Sequence, residues 1–388
     1  MSIKQTVKTK KKKPAWTPKE DNESFASSVM EGVEGGHDGM ETSGRNQTEK
    51  PAIKRRNLTI QDYVDGVLRD DRMILARTIT LVESSAKRHL ETAQQVLRKI
   101  LPSTGKAIRV GITGVPGAGK STFINVLGSE LCRKGHRVAV LAVDPSSSLS
   151  RGSILGDKTR MENLSQEPNC FIRPSPSSGT LGGVNRKTRE TILVCEAAGF
   201  DVILVETVGV GQSEAMVSTM VDFFLLLTLT GAGDELQNIK KGVIEMADAV
   251  LINKADGDNK IPAQRTRQEF NQALHLLKPV KEGWQTQAYC CSALTGEGIE
   301  EIWHVILEFK ERMQTSGDFF ARRREQSLNW MHEMIVERIK RSFFENSDIK
   351  KELPELEKMV SEGRLPVTSA VEKIMSRFRD LREEENQL

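Results

Sequence analysis

The segment "GITGVPGAGKST", Gly111–Thr122, places four glycines ahead of the run Lys-Ser-Thr. Its spacing is Gly114, four residues, Gly119, Lys120 and Ser121, the pattern that cradles phosphate groups between a strand and a helix. Glycine permits backbone angles that turn successive N–H groups towards an anion, and a helix beginning near Lys120 would direct its positive dipole end there. The segment predicts an α/β fold that binds a nucleoside triphosphate.

Each part of this loop has an expected role. Lys120 would reach the β- and γ-phosphates, and Ser121 would be a ligand of Mg²⁺. A dinucleotide fingerprint is excluded because no G-x-G-x-x-G can be drawn through these glycines, and a glycine-rich turn without a ligand is the remaining alternative. The residues expected to contact the phosphates are Gly114, Val115, Pro116, Gly117, Ala118, Gly119, Lys120, Ser121 and Thr122.

The composition limits what surrounds the loop. With 388 residues, the chain is long enough for one large nucleotide-binding domain and smaller helical parts. Its net charge of +3 gives no reason to expect nucleic acid as a partner. The five cysteines form no paired framework, which suggests reduced thiols in a cytosol-like compartment. The longest apolar run, "MVDFFLLLTLT", suits a buried strand, so we expect a soluble protein with no membrane partner.

Short apolar segments alternate with helical ones after the phosphate loop. This order predicts an α/β fold with a doubly wound, mostly parallel sheet, in which the loops at the carboxyl ends of the strands form the site. The predicted strands are "AIRVGIT", "HRVAVLAVD", "DVILVET", "FFLLLTL", "AVLIN" and "AYCCSAL".

Two later loops indicate the base. Asn253-Lys254-Ala255-Asp256 follows one predicted strand, and its aspartate can accept hydrogen bonds from N1–H and the exocyclic amine of guanine. A backbone N–H of the turn after the next strand would meet guanine O6, where adenine carries an amine. Because a site built on hydrogen bonds rejects the wrong base strongly, the sequence favours GTP over ATP. The residues expected at the base are Asn253, Lys254, Asp256, Ser292, Ala293 and Leu294.

The segment "DVILVETVGVGQSE" supplies the groups expected near the γ-phosphate. Glu206 ends the predicted strand and would approach the metal directly or through water, while Gly209 would bring its N–H to the γ-phosphate. Val210 stands where many GTPases carry a water-orienting glutamine, and Gln212 is two positions further on. We therefore expect slow intrinsic hydrolysis that a partner or a conformational step accelerates.

Two further loops have charged residues at strand ends. Asp144 and Asp157, in "VDPSSSLSRGSILGDKTRM", are candidate ligands of the metal or of its water. The loop from Thr230 to Gly242 is a candidate switch between nucleotide state and a partner surface. The residues assigned to switching are Gly209, Gln212, Asp234, Glu235 and Lys240.

The chain divides into four predicted parts. Residues 1–56 contain "KTKKKK" and few large apolar side chains, so they are expected to form a disordered basic arm. Residues 57–104 are expected to be helical, 105–315 to form the P-loop GTPase domain, and 316–388 to form a helical extension. The extension places Leu328, Met331, Ile335, Ile339 and Phe343 on one helix face. We expect this face to pack on the chain's own core, and the helix is also available for dimerisation.

The sequence resembles the MeaB/ArgK/MMAA family of GTPases, the methylmalonyl-CoA mutase-associated chaperones, in which Glu replaces the usual Asp. The similarity covers roughly residues 60–315 and is carried by "YVDGVLRDDRMILARTITLVES", "GITGVPGAGKST", "AVDPSSSLSRGSILGDKTRM", "ETVGVGQSE", "GAGDELQNIKKG" and "NKADG". The resemblance implies a homodimer that uses GTP, GDP and Mg²⁺ to gate adenosylcobalamin loading onto a cobalamin-dependent acyl-CoA mutase and to protect that enzyme. The same resemblance implies a cytoplasmic protein, or a mitochondrial matrix protein in a eukaryote, with a cobalamin adenosyltransferase as a second partner.

Residue roles follow from the same resemblance. It places Ser121, Asp144, Asp157 and Glu206 around Mg²⁺ and implies catalytic roles for Lys120, Glu206 and Asp157. Three alternatives stay open: a metallochaperone GTPase, a kinase linked to amino-acid transport, and a scaffold with a degenerate site. Metallochaperones usually carry a Cys/His cluster, whereas this chain has one adjacent pair and isolated histidines, namely Cys290, Cys291, His136, His304 and His332.

Overall fold

A seven-stranded parallel sheet, with strand order β3-β2-β4-β1-β5-β6-β7, lies at the centre of the protein. This computed structural model describes residues 58–143, 161–174, 181–207, 213–230, 241–276 and 283–386. The parallel sheet confirms the predicted α/β class. The strands are β1 (Ile108–Gly114), β2 (Val138–Val143), β3 (Cys170–Pro174), β4 (Val202–Thr207), β5 (Phe223–Thr228), β6 (Ala249–Ile252) and β7 (Gln287–Cys290).

The inner strands are apolar throughout because both faces of the sheet are covered. Every residue of β2, β4, β5 and β6 is buried, as is typical of strands in a parallel sheet packed between helices. The edge strand β3 was not among the predicted strands. It has only five residues, ends in Pro174, and is half-buried apart from Cys170, so its periodicity is too short to separate it from a loop.

Thirteen α-helices occur in the described part of the chain. Three precede the sheet, and β1 is followed at once by a helix that begins at Lys120, as predicted. The helices are α1 (Ile60–Leu68), α2 (Arg72–Glu83), α3 (Lys87–Ile100), α4 (Lys120–Arg133), α5 (Glu162–Gln166), α6 (Leu181–Ala197), α7 (Ser213–Ser218), α8 (Lys241–Met246), α9 (Lys260–His275), α10 (Ile299–Ser316), α11 (Asp318–Phe344), α12 (Ser347–Ser361) and α13 (Val367–Asn386).

Local sequence sets the start of the first two helices. Thr59 and Asp62 form a capping box, in which each side chain accepts a hydrogen bond from the other residue's backbone N–H. Asp71 caps α2 by accepting from the N–H groups of Met73 and Ile74. These caps satisfy N–H groups that have no partner inside a helix, and they fix where the chain turns before the sheet.

Two hydrophobic cores lie on opposite faces of the sheet. Along β4, Ile203 and Val205 belong to one core while Val202 and Leu204 belong to the other, because side chains alternate across a strand. Helices α1, α2, α3, α6 and α9 contribute to the first core, and α4 and α10 contribute to the second. Within the described residues, no helix is both long enough and apolar enough to cross a membrane.

The apolar face of α11 does not pack as predicted. Leu328, Met331, Ile335 and Ile339 have exposed fractions between 47% and 61%, so the expectation that they pack on the chain's own core is wrong. Phe343 alone of the five predicted residues is half-buried, against a small cluster formed by Ile349, Leu356 and Ile374. The stripe stays exposed because a different face of α11 packs on α6, where Glu333 accepts a hydrogen bond from Asn185 and the Trp330 ring lies against Arg189.

Arginine side chains attach the start of α11 to the amino end of the sheet. Arg323 donates hydrogen bonds to both carboxylate oxygens of Asp222, at 2.7 and 2.6 Å, and to the carbonyl oxygens of Gly105 and Ala107. Asp222 also accepts from the backbone N–H of Arg109, at 2.8 Å. These bonds hold α11 at the edge of the sheet opposite the phosphate loop.

Candidate functional site

The backbone of the phosphate loop requires glycine at two positions. Gly114 has φ +148°, and a Cβ there would lie 2.1 Å from the carbonyl oxygen of Leu227 on the adjacent strand. Gly119 has φ +84° immediately before α4, and a Cβ there would lie 2.7 Å from Nδ2 of Asn253. A larger residue at either position would displace a neighbouring strand or the base loop, so the spacing read from the sequence has a steric cause.

The Lys120 side chain folds back over this loop. Its ammonium donates to the carbonyl oxygens of Gly114, at 2.8 Å, and Val115, at 3.2 Å. Burial lowers the pKa of Lys120, and the nearby Glu206 and Glu214 carboxylates oppose that shift. A lysine held by two neutral carbonyls can exchange them for phosphate oxygens, which bind an ammonium more strongly.

The next residue connects α4 to the end of β4. Ser121 Oγ donates a hydrogen bond to Glu206 Oε1 at 2.8 Å, and Glu206 is 8% exposed. At the next residue of β4, Thr207 Oγ1 donates to Thr113 Oγ1 at 2.8 Å, and both threonines are fully buried. A hydroxyl and a carboxylate side by side are the hard oxygen donors that Mg²⁺ prefers, so the chemistry of the pair fits this ion.

Asn253 joins the phosphate loop to the two base loops. Its Nδ2 donates to the carbonyl oxygen of Ala118 at 2.8 Å, and its Oδ1 accepts from the N–H of Ala293 at 3.1 Å. The Cys291 thiol lies 3.4 Å from the same Oδ1 and is buried. Asn253 therefore sets the distance between phosphate and base sites, a role that the sequence motif alone does not reveal.

The two base loops meet at Asp256 and Ser292. Ser292 Oγ donates a hydrogen bond to the half-buried Asp256 carboxylate, and it accepts from the N–H groups of Leu294 and Thr295 at 3.2 and 3.1 Å. Lys254 is exposed and has φ +60°, an uncommon angle outside glycine. The Leu294 side chain is 83% exposed. Ser292 thus orients the carboxylate that is predicted to read the base.

The structure brings the two groups of candidate residues to the same edge of the sheet. Within the phosphate loop, Ala118 is buried and Val115 is half-buried, whereas Pro116, Gly117 and Thr122 are exposed. Seven candidates lie outside the described residues, so their assigned roles stay predictions: Asp144, Asp157, Gly209, Gln212, Asp234, Glu235 and Lys240. Among the described residues, no group of three or more His, Cys, Asp or Glu side chains is placed to hold a metal ion.

Sequence reasoning missed two buried polar groups near the site. Ser213 and Glu214 begin α7 and are 0% and 8% exposed. Ser213 Oγ and Glu214 Oε2 have no hydrogen-bond partner within the described part of the chain. Glu214 is the last residue of "ETVGVGQSE", but the motif gave no sign that its carboxylate would be buried.

The fold and the site together define a P-loop GTPase. The sheet is parallel, a strand-end glutamate is bonded to the serine of the phosphate loop, and an Asn-Lys-x-Asp loop lies at the same edge. A sequence profile of the family described as "Methylmalonyl Co-A mutase-associated GTPase MeaB" matches residues 75–348. The chain belongs to this family, so it binds guanine nucleotides and hydrolyses GTP.

Individual relatives agree with the family match. The chain is 46% identical over 345 residues to the Mus musculus protein "Methylmalonic aciduria type A homolog, mitochondrial", with 86% of this chain and 83% of the mouse protein covered. It is 48% identical over 290 residues to "GTPase ArgK" of Escherichia coli, with 75% and 88% covered. The crystal structure described as "LAO/AO transport system kinase" superposes with a TM-score of 0.68 and 37% identity, covering 84% of this chain and 100% of the other.

Proposed function

We propose that this GTPase is a chaperone of a cobalamin-dependent acyl-CoA mutase such as methylmalonyl-CoA mutase. In this proposal, GTP binding and hydrolysis gate the loading of adenosylcobalamin and protect the mutase from inactivation. The observation that supports it is the family match over residues 75–348, because the family is described by its association with that mutase. The matched region includes the phosphate loop and both base loops.

The proposed nucleotide site consists of residues at the carboxyl edge of the sheet. Gly114–Thr122 would hold the phosphates, and Asp256 with Ser292–Leu294 would hold guanine. Ser121 and Glu206 would hold Mg²⁺, together with Asp144 and Asp157, the two predicted ligands outside the described residues. When bound, Mg²⁺ neutralises charge that develops on the phosphate oxygens during hydrolysis.

The experiment that tests the proposal measures phosphate release with and without methylmalonyl-CoA mutase. Because Val210 replaces the usual water-orienting glutamine, we expect turnover well below one per second for the protein alone. Mutase should raise turnover by about tenfold or more, which requires a change of only about 1.4 kcal/mol in a barrier or population. Fast hydrolysis without mutase, or no response to it, would contradict the proposal.

The proposed switch residues are Gly209, Gln212, Asp234, Glu235 and Lys240. Reversing one charge in this set, with Lys240→Glu, should reduce stimulation by the mutase and leave GDP affinity within about twofold. Lys134→Glu is the matched control, since Lys134 is a surface lysine that pairs with the exposed Glu300 far from these residues in sequence. Equal stimulation of both variants would remove Lys240 from the proposed coupling.

We further propose that residues 316–388 mediate homodimerisation through the exposed apolar face of α11. The face consists of Leu328, Met331, Ile335 and Ile339, and a second copy of the chain would cover it. Ile335→Glu should convert a dimer to a monomer in analytical ultracentrifugation. Lys340→Glu, on another side of the same helix, should leave the dimer intact, and a dimer in both variants would contradict this assignment.

The compartment and a second partner protein are also proposed from the family match. We place the protein in the cytoplasm, or in the mitochondrial matrix of a eukaryotic cell, since the mouse relative is named as mitochondrial. A cobalamin adenosyltransferase, the class of enzyme that makes the loaded cofactor, is proposed as a second partner. Co-purification of the adenosyltransferase with the GTP-bound protein and mutase would support this assembly, whereas its absence from that complex would contradict it.

A kinase linked to amino-acid transport is the second candidate function. It is favoured by the structural likeness to the protein described as "LAO/AO transport system kinase". The two candidates differ in where the γ-phosphate goes. Transfer of labelled γ-phosphate to a transport protein in a cell extract would favour the kinase. Release of all the label as inorganic phosphate would favour the GTPase chaperone.

A further inference from the structure

Glu214 lies at the start of α7, between the two strands that carry the phosphate chemistry. Helix α7 packs against β1, which leads into the phosphate loop, and against β4, which ends at Glu206. Glu214 is 8% exposed, and its Oε2 atom has no hydrogen-bond partner among the described residues. A buried carboxylate oxygen without a partner costs folding free energy, so such atoms usually pair with an ordered water or a ligand.

The charge of Glu214 acts on the phosphate-binding lysine. Glu206 and Glu214 are the two carboxylates that stabilise the charged form of Lys120 against burial. Glu206 Oε1 already accepts a hydrogen bond from the Ser121 hydroxyl. Oε2 of Glu214 accepts none from the described residues, so it can accept one from a ligand or a water. Ser213, the preceding residue, is fully buried with a hydroxyl that has no partner within the described ranges. Each of these two groups can therefore form a hydrogen bond with a water molecule.

We propose that Glu214 is a catalytic residue that holds the water attacking the γ-phosphate. The water oxygen forms a bond to the γ-phosphorus, and the bond from that phosphorus to the β–γ bridging oxygen breaks with its electron pair left on GDP. One water proton stays on the phosphate as a hydroxyl, and the other leaves through the Glu214 carboxylate to solvent. This role explains how a chain with Val210 at the usual glutamine position orients water. It rests on the GTPase class and does not depend on the mutase proposal.

Glu190 provides a matched control for this proposal. It is also a buried glutamate, 3% exposed, with an Oε2 atom that has no partner among the described residues. Its other oxygen accepts from Gln94 Nε2 of α3, at 3.4 Å, on the face of the sheet covered by the N-terminal helices. A general effect of neutralising a buried glutamate would appear in the glutamine variants of both Glu214 and Glu190. An effect on the attacking water would appear only in Glu214→Gln.

The experiment compares Glu214→Gln with Glu190→Gln in the full-length protein without mutase. Single-turnover hydrolysis of GTP and steady-state kcat should fall at least tenfold in Glu214→Gln. KM for GTP, the affinity for GDP and the thermal unfolding midpoint should stay close to those of the wild type. Glu190→Gln should keep wild-type kcat at neutral pH. Glu214→Asp, which retains the charge on a shorter side chain, should recover part of the lost turnover.

Three outcomes would overturn the proposal. The first is a kcat for Glu214→Gln within twofold of the wild type. The second is a loss of GDP affinity and thermal stability in parallel with kcat, which would show a structural role. The third is a large loss of kcat in Gln212→Ala with none in Glu214→Gln. If Glu214→Gln does not fold, Glu214→Asp decides, because wild-type kcat in that variant would also contradict a water-holding role.

Discussion

The two edges of the sheet differ in what their polar groups bind. At the amino edge, Arg323 makes hydrogen bonds to both oxygens of Asp222 and to two backbone carbonyls, so the donors and acceptors satisfy each other. At the carboxyl edge, Lys120 bonds only to carbonyls of its own loop, and atoms of Glu214 and Thr228 have no partner within the described residues. The Arg323–Asp222 network at the amino edge stabilises the fold, and the phosphate-loop region at the carboxyl edge keeps bonding capacity for a ligand.

The largest effect that this comparison predicts is on folding stability at the amino edge. Arg323→Ala would leave the Asp222 carboxylate, which is 3% exposed, without its guanidinium. Breaking a buried ion pair from one side costs about 3–5 kcal/mol. We therefore expect the free energy of unfolding in urea to fall by about that amount. The kcat of the folded fraction should stay within about twofold, because Arg323 lies at the edge opposite the nucleotide site.

Arg341→Ala is the control on the same helix. Arg341 pairs with Glu337 at 3.4 Å and is 59% exposed, so its removal should cost less than about 1 kcal/mol. Equal losses in Arg323→Ala and Arg341→Ala would show that the amino-edge network adds no special stability. The contrast between the two edges would then fail.

At the carboxyl edge, the expected effect is on turnover and not on folding. Lys120→Ala should fold, because the loop backbone and its glycines are unchanged. Loss of the ammonium should lower kcat for GTP hydrolysis by about 10²–10³-fold, the range for removing one charge-stabilising group. Phosphate release measures kcat, and circular dichroism measures folding.

Ser121→Ala should also lose hydrolysis, since it removes both a proposed Mg²⁺ ligand and the bond to Glu206. Lys134→Ala is the matched control for Lys120→Ala, as Lys134 directly follows the other end of α4. Its turnover should equal that of the wild type. Wild-type turnover in Lys120→Ala or Ser121→Ala would refute the assigned roles.

A third prediction concerns pH and lies away from both edges. Burial raises the pKa of Glu190 from 4.5 to about 7, and the nearby Arg186 opposes this shift. Glu190 therefore binds a proton more tightly in the folded protein than in the unfolded chain, so its contribution to stability is fully present below pH 4.5 and is lost as pH rises to about 7. The loss is on the order of 3 kcal/mol. Urea unfolding of Glu190→Gln across this range should lack that contribution, and an unchanged slope would contradict it.

Base selection gives a fourth, slightly smaller effect. GDP and GTP should bind at least about a hundredfold more tightly than ATP, or about 2.7 kcal/mol, because adenine leaves the Asp256 carboxylate without its donors. Asp256→Asn should shift the preference towards xanthine nucleotides, which supply an acceptor where guanine has its amine. Asp258→Asn, at an exposed residue of the same loop, is the control. Calorimetric titration measures each affinity, and equal binding of ATP and GTP would contradict the assignment.

Much of the carboxyl edge could be predicted from the sequence because its requirements are steric and periodic. Gly114 and Gly119 stand where a Cβ would collide with backbone or with Asn253, so their spacing is fixed by geometry. The fully buried strands are continuous apolar runs, a pattern that predicts strands directly from the sequence. The helix predicted to begin near Lys120 does so. Patterns that local geometry dictates are visible in one sequence.

Features that depend on distant partners could not be predicted. The stripe on α11 has the period of a core-facing helix, yet Leu328 and Ile335 are exposed because no element of the chain's own described fold covers them. Asn253 is predicted to lie at the base, but the motif does not reveal that its amide also bonds to the phosphate loop and to Ala293. The burial of Glu214 depends on how α7 packs on β1 and β4. Such contacts follow from tertiary packing, which no local pattern records.

The smallest predicted effect tests how the carboxyl edge is held in register. Thr207 and Thr113 are fully buried on neighbouring strands, and their hydroxyls bond at 2.8 Å at the carboxyl ends of β4 and β1, next to Glu206 and Gly114 in sequence. Thr207→Val removes one hydroxyl and leaves the other without this partner, which should cost about 1–2 kcal/mol. Replacing both threonines with valine removes two hydroxyls of matched shape, so the double variant should recover about 1 kcal/mol relative to the sum of the single losses. Urea unfolding of the four proteins measures this coupling. If the loss of unfolding free energy in the double variant equals the sum of the two single losses, the hydroxyl pair does not couple β1 to β4. In that case, kcat should be unaffected in every variant.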